Sequence, residues 1–206
     1  GDEELRASVE RGSVALAGSG RFGSSVISPE AMARLGDLAW PGAPALPSTS
    51  WAGLTLPTDR LLVSGVQLGL ISVATDPDGV LRRIPLLHQV AGYQLPSLPL
   101  AAHFARRGTL SPQVEAMHGR LRIGQFDIPV DESGRAVLLF PSNARAVPTL
   151  GFDQVVAAAL GLDEGEGLRE MIAGRTVFIG STAFFSDRAF TPLGQMSGST
   201  VIAVAF

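Results

Sequence analysis

The sequence contains neither cysteine nor lysine. Without cysteine a disulfide scaffold is excluded, although a chain of this size needs none in either an oxidising or a reducing compartment. Without lysine all 16 basic residues are arginine, so the surface relies on planar guanidinium groups that pair in fixed geometry. The formal net charge is −3 at pH 7, which provides no electrostatic footprint for nucleic acid. Long apolar runs are missing as well: nothing approaches the ~18–20 residues of a membrane span, and no signal peptide is visible. The three histidines, His88, His103 and His118, have no spacing that suggests a metal site. Nucleophile elbows, phosphate-binding loops and dinucleotide fingerprints are all absent, so no cofactor, metal or catalytic residue is expected.

What is present is the composition of a folded domain. Of 206 residues 46% are hydrophobic and 17% charged, enough to bury a substantial core. Residues 2–11 read as a helix, with Asp2, Glu3 and Glu4 at the positive end of its dipole and Arg11-Gly12 closing it. A buried strand, Ser13 to Gly18, follows. The same order recurs late in the chain, where a helix over Leu168–Ala173 stops at Gly174 before the strand Thr176–Gly180. From about 21 to 60 a Pro/Gly/Ala-rich loop region intervenes, with a short helix over Pro29–Leu35 and with Trp40 and Trp51 placed either to pin it to the body or to meet a partner surface. Val66–Thr75 and Val80–Val90 read as a hairpin across Asp76-Pro-Asp-Gly79. Ser97 caps a helix over Leu98–Arg107 that Gly108 ends. His103 shares a face of that helix with Leu100 and Phe104, at the edge of the core. Short strands follow at Leu121–Ile123, Phe126–Val130 and Ala136–Phe140, then a helix over Gln154–Leu160 capped by Asp153 or Thr149. This pattern predicts one α/β domain over residues 1–206 with a central mixed β-sheet flanked by helices. Val14–Ala17 and Thr176–Gly180 are expected as parallel neighbours.

Three groups of residues carry candidate chemistry. Asp76-x-Asp78-Gly79 has the first oxygens of a calcium loop but lacks the rest, and Pro77 and Gly79 fit a tight turn better. Arg82 and Arg83 are adjacent, so on a strand they leave opposite faces, one toward a carboxylate and the other toward solvent. An anion-binding arginine is the functional alternative. Ser181 and Thr182 follow the last predicted strand, where open α/β sheets place ligands and where hydroxyl and N–H groups can receive an anion. They can equally close a plain strand-to-loop turn. Asp187 and Arg188 stand in the same loop.

Taken in order, Asp76-Pro-Asp-Gly-Val-Leu-Arg-Arg-Ile-Pro-Leu-Leu87, Leu95-Pro-Ser-Leu-Pro-Leu-Ala-Ala102, Phe140-Pro141 and Arg175-to-Gly194 resemble the CHASE2 family over nearly the whole chain. The resemblance implies a sensor domain outside the bacterial cytoplasmic membrane, whether periplasmic or at the cell surface. Membrane spans would flank it, and a cytoplasmic output would follow: a nucleotide cyclase, a histidine kinase, a Ser/Thr kinase or a cyclic-dinucleotide enzyme. It implies an unidentified small-molecule or environmental signal, a homodimer in the full-length protein, and no nucleic-acid partner. By family analogy Asp187 is the carboxylate that meets Arg82 or Arg83. The candidate ligand contacts are therefore Ser181, Thr182, Asp187, Arg188, Arg82 and Arg83. The apolar stretch Ser199–Phe206 is read as running on into a longer protein. One departure stands out, since the family's Met-Pro-Gly-Val-Glu-Ile-His-Ala is here Met196-Ser-Gly-Ser-Thr-Val-Ile-Ala203, with Thr200 and Ile202 at the Glu and His positions. The alternative reading is a small soluble α/β enzyme using the Ser181-Thr182 and Asp187-Arg188 loop.

Overall fold

Helix α1 (Asp2–Arg11) opens the chain in the charge order that its dipole favours. The computed structural model describes residues 2–23, 27–41, 49–142, 147–162, 165–181 and 188–206. After β1 (Ala15–Arg21), Ser28 caps α2 (Pro29–Leu38): its hydroxyl accepts from the Ala31 N–H at 3.1 Å, and Pro29 occupies a position whose N–H would go unused. Then come β2 (Ser50–Trp51), β3 (Gly53–Thr55), β4 (Gln67–Leu70), β5 (Arg83–Pro85), β6 (Leu87–Val90) and β7 (Tyr93–Pro96). Helix α3 (Leu98–Arg106) starts at Ser97, which has the extended backbone of an N-cap but makes no capping bond with its side chain. Strands β8 (Val114–Met117), β9 (Arg120–Ile123), β10 (Phe126–Pro129) and β11 (Arg135–Val137) precede the helices α4 (Phe152–Ala159) and α5 (Gly165–Ile172). The hairpin β12 (Arg188–Thr191) and β13 (Gly194–Ser197) leads into α6 (Gly198–Ala205), where the Ser197 hydroxyl accepts from the Thr200 N–H.

The α/β class is as the sequence predicts, and the pairing is divided among small sheets. In the mixed sheet β3-β1-β4, β1 runs parallel to β4 from Ala15↔Gln67 to Gly18↔Leu70, and antiparallel to β3 from Ser19↔Thr55 to Arg21↔Gly53. The parallel neighbour of β1 is thus Gln67–Leu70, not Thr176–Gly180. Residues 176–180 form no regular strand. They are seated against α6 instead: Phe178 meets Phe206 edge-on at 5.4 Å, and the Cβ position of Gly180 lies against Ser199. The predicted hairpin is also reduced to its turn, because β4 gives its ladder to β1 while β5 pairs antiparallel with β11. The helix over 152–159 is capped by Gly151, whose N–H donates to Gln154 Oε1 at 2.8 Å; Asp153 lies inside the first turn and Thr149 bonds Val147 O.

Close approach of the layers depends on two glycines. A Cβ on Gly69 of β4 would strike the Cα of Leu98, so only glycine lets the start of α3 lie on that strand. A Cβ on Gly20 would enter the ring of Trp51. Both tryptophans are buried, as the pinning role requires: Trp40 meets Phe104 of α3 edge-on at 5.4 Å, and Trp51 packs with Phe22 and with Leu35, Leu68, Leu70 and Leu95. The indole of Trp51 needs an acceptor when buried. His88 of β6 supplies it, with Trp51 Nε1 donating to His88 Nδ1 at 3.0 Å. His88 is 0% exposed, and its Nε2 has no hydrogen-bond partner among the described residues.

Burial pushes the His88 pKa down from its ordinary value of 6.5 to about 4. The unfolded chain therefore takes up this proton at a higher pH than the folded one. The stability linked to His88 is complete above pH 6.5 and is lost as the pH falls toward 4, amounting to about 3 kcal/mol. Urea unfolding at pH 7.5 and pH 4.5 should show this loss in the wild type, and a clearly smaller loss in His88→Gln, whose side chain does not titrate. Equal losses in the two proteins would show that His88 is not the titrating group.

Candidate functional site

Two turns of the same construction lie together in this fold. In the first, Asp76 N–H donates to Val80 O at 3.0 Å and Gly79 N–H to Asp76 O at 2.8 Å; in the second, Asp131 N–H donates to Arg135 O at 3.0 Å and Gly134 N–H to Asp131 O at 2.9 Å. Each has a glycine at positive φ in its fourth position, 80° at Gly79 and 69° at Gly134, which suits no other residue as well. The antiparallel β5–β11 ladder sets the turns side by side, with Arg83↔Val137 and Pro85↔Arg135. Three guanidinium groups then converge on one carboxylate. Arg83 Nη1 reaches both oxygens of Asp76 at 3.2 and 3.1 Å, Arg135 Nη1 reaches Oδ1 at 3.3 Å, and Arg82 Nη1 reaches Oδ2 at 3.5 Å.

Asp76 is 8% exposed, while its arginine partners keep contact with water. The remaining charge is balanced locally. Arg82 pairs with Asp78 at 2.8 Å, Arg135 Nε with Asp131 at 3.0 Å, and Arg83 Nε stands 3.9 Å from Asp131. The Val80 N–H, then Arg82, lowers the pKa of Asp78. Burial pulls the Asp131 pKa upward, but the N–H groups of Arg135 and Ser133 and the Arg135 guanidinium outweigh it, so the net shift is downward. Three cations thus face three anions, and the network holds two loops together.

Arg82 and Arg83 therefore do not part to opposite sides with one in solvent. Both turn to Asp76, because Arg82 precedes β5 and is free of its alternation. Arg188 begins β12, and that strand is tied to the first turn by Leu81 N–H donating to Phe190 O at 2.7 Å. Ser181 follows the segment seated on α6. Thr182 and Asp187 lie outside the described residues. Asp76, Asp131 and Arg135 had not been singled out as partners, although the repeated Asp-x-x-Gly spacing at 76–79 and 131–134 was a visible signal. Among the described residues no cluster of three or more His, Cys, Asp or Glu could hold a metal ion.

The network makes a measurable demand on folding. Asp76→Ala leaves three guanidinium groups around an empty centre, and because they remain partly hydrated the cost should be about 2–3 kcal/mol, below that of a fully buried pair. Arg135→Met, which removes one of three partners and keeps the apolar stem, should cost about 1 kcal/mol. Urea unfolding at pH 7 measures both, and a neutral Asp76→Ala would refute the structural role.

The CHASE2 domain family model matches residues 1–206. No curated protein and no solved structure matches the chain. Covered from its first residue to its last, the chain belongs to the CHASE2 family, whose members are extracytoplasmic sensor domains rather than catalysts.

Proposed function

We propose that this chain is the extracytoplasmic input domain of a membrane-bound bacterial receptor. It passes a ligand or environmental signal through flanking membrane helices to a cytoplasmic output such as a nucleotide cyclase or a protein kinase. The observation that carries this reading is the family match over residues 1–206. No helix of the described residues is long and apolar enough to cross a membrane, so in this reading the spans belong to flanking segments.

The layout supports a mechanical role. The charged network joins the 76–83 turn to the 131–135 turn, and the Leu81–Phe190 bond carries that frame into the β12–β13 hairpin and on to α6. A change at any of these parts is passed to α6 through packed elements rather than absorbed by a loop. A homodimer in the full-length protein fits the same reading. Phe152 and Leu160 of the α4 region are 72% and 68% exposed, and they supply apolar surface that a second copy would cover. Ser181, Thr182, Asp187 and Arg188 are retained as candidate ligand contacts in this reading.

Reporter fusions in the full-length protein test the proposal. An export-dependent phosphatase inserted within the domain should be active, whereas a fluorescent protein that matures only in the cytoplasm should be dark there. The opposite pattern would sink the sensor reading.

A further inference from the structure

On the β5–β11 ladder, Arg83 and Arg135 belong to the charged network, while the directly paired Ile84 and Ala136 line a cavity of about 250 Å³. The two-residue period of the strands turns Arg83 and Arg135 to one face and Ile84 and Ala136 to the other, while Val137, paired with Arg83, stands at the exposed edge of the cavity. Its walls are almost wholly apolar and include Phe104, Phe126 and Phe206. Two polar residues, Ser97 and His103, also line it. The hydroxyl of Ser97, a residue only 3% exposed, and Nε2 of His103 are both buried and have no hydrogen-bond partner among the described residues. They do not bond each other, so the pair is not an activated nucleophile.

Such atoms are costly to leave unpaired in an apolar setting. In Ser97 the cost is not offset by capping, because the side chain makes no bond to the helix it begins. An apolar cavity of about 150 Å³ admits benzene, so this one has space for a substituted ring. The ring edges point the same way. His103 meets Phe104 at 5.3 Å, Phe126 at 5.1 Å and Phe206 at 6.1 Å, two of the three nearly perpendicular, an arrangement that offers edges and faces to another ring.

We infer that this cavity is a ligand site for a small uncharged aromatic molecule carrying one hydroxyl or N–H group. The polar group meets Ser97 or His103 while the ring fills the apolar walls. The ligand is uncharged because a carboxylate inside these walls would meet only two neutral partners, which do not offset its loss of water. His103 itself is kept neutral: burial, then the charges of Arg107 and Arg106, lowers its pKa. Ala205 and Phe206 of the α6 end form part of the wall, so occupancy touches the last described element of the fold directly. The inference deepens the sensor reading and takes its purpose from it, but binding can be measured without it.

The test uses the 206-residue chain and three probes of matched shape: 4-ethylphenol, 4-ethyltoluene and 4-ethylbenzoate, followed by calorimetry and saturation-transfer NMR. 4-Ethylphenol should bind at submillimolar concentration, and 4-ethyltoluene about fivefold more weakly for want of the hydrogen bond. 4-Ethylbenzoate should not bind. Ser97→Ala or His103→Leu should reduce or abolish the preference for the phenol while leaving 4-ethyltoluene binding intact. Ala136→Leu should exclude all three while the melting temperature holds or rises, because it fills the cavity. Absence of phenol binding in a folded wild type, tighter binding of the benzoate, or a phenol preference unchanged in both polar variants would each overturn the inference. The topology of the full-length protein is unaffected by those outcomes, so failure here is separable from failure of the sensor reading.

Discussion

Asp76 is a carboxylate taken almost completely out of water, and the arrangement of the surrounding loops follows from supplying it with partners. A buried anion without compensation costs several kcal/mol, so guanidinium groups must come to it from both turns and from the approach to β5. Three cations around one anion would repel one another. Asp78 and Asp131 relieve this by taking the outward sides of Arg82 and Arg135, and each of these carboxylates is itself held by backbone N–H groups of its own turn. Neither the turns nor the arginines are independent features. Each fixes where the other can stand.

Elsewhere the fold depends on neutral contacts at short range. Gly69 lets α3 lie directly on β4, and Gly20 leaves space for the Trp51 ring. Once that ring is inside, its N–H must be satisfied, and His88 accepts it in the unprotonated form that burial favours. The choice of side chain at 88 therefore follows from a glycine at 20 and an indole at 51. Phe104 of α3 receives Trp40 and packs among the β9 residues Leu121 and Ile123.

The β5–β11 ladder joins these two regimes. One face carries the charged network, and the other opens into the aromatic cavity that α3, β10 and α6 enclose. A sensor needs a region where a ligand can enter and a stiff element to register it. In the proposed reading the ladder places those two features one residue apart.

Much of this was legible in the residues. The acidic start of α1, Ser28 and Pro29 at the head of α2, Ser97 before α3, and the Asp-Pro-Asp-Gly turn are signals between neighbours, set by hydrogen bonds that span at most four positions. The lack of metal and catalytic motifs and the likeness to CHASE2 were equally readable. Pairing between distant segments was not. Thr176–Gly180 has the apolar pattern of a buried strand, yet it runs along α6 with Val177 and Ile179 exposed while β4 takes the place beside β1, because an apolar pattern does not state which segment gains a place in the ladder. The same limit applied to Arg82 and Arg83. Their need for a carboxylate was plain from the sequence, but that they share Asp76 depends on two turns 55 residues apart meeting across one ladder. The unpaired Ser97 and His103 likewise come to line one cavity only where α3, the ladder and α6 meet. Local chemistry determined the turns, caps and family of this protein, and only long-range packing decided which charges meet and where space is left.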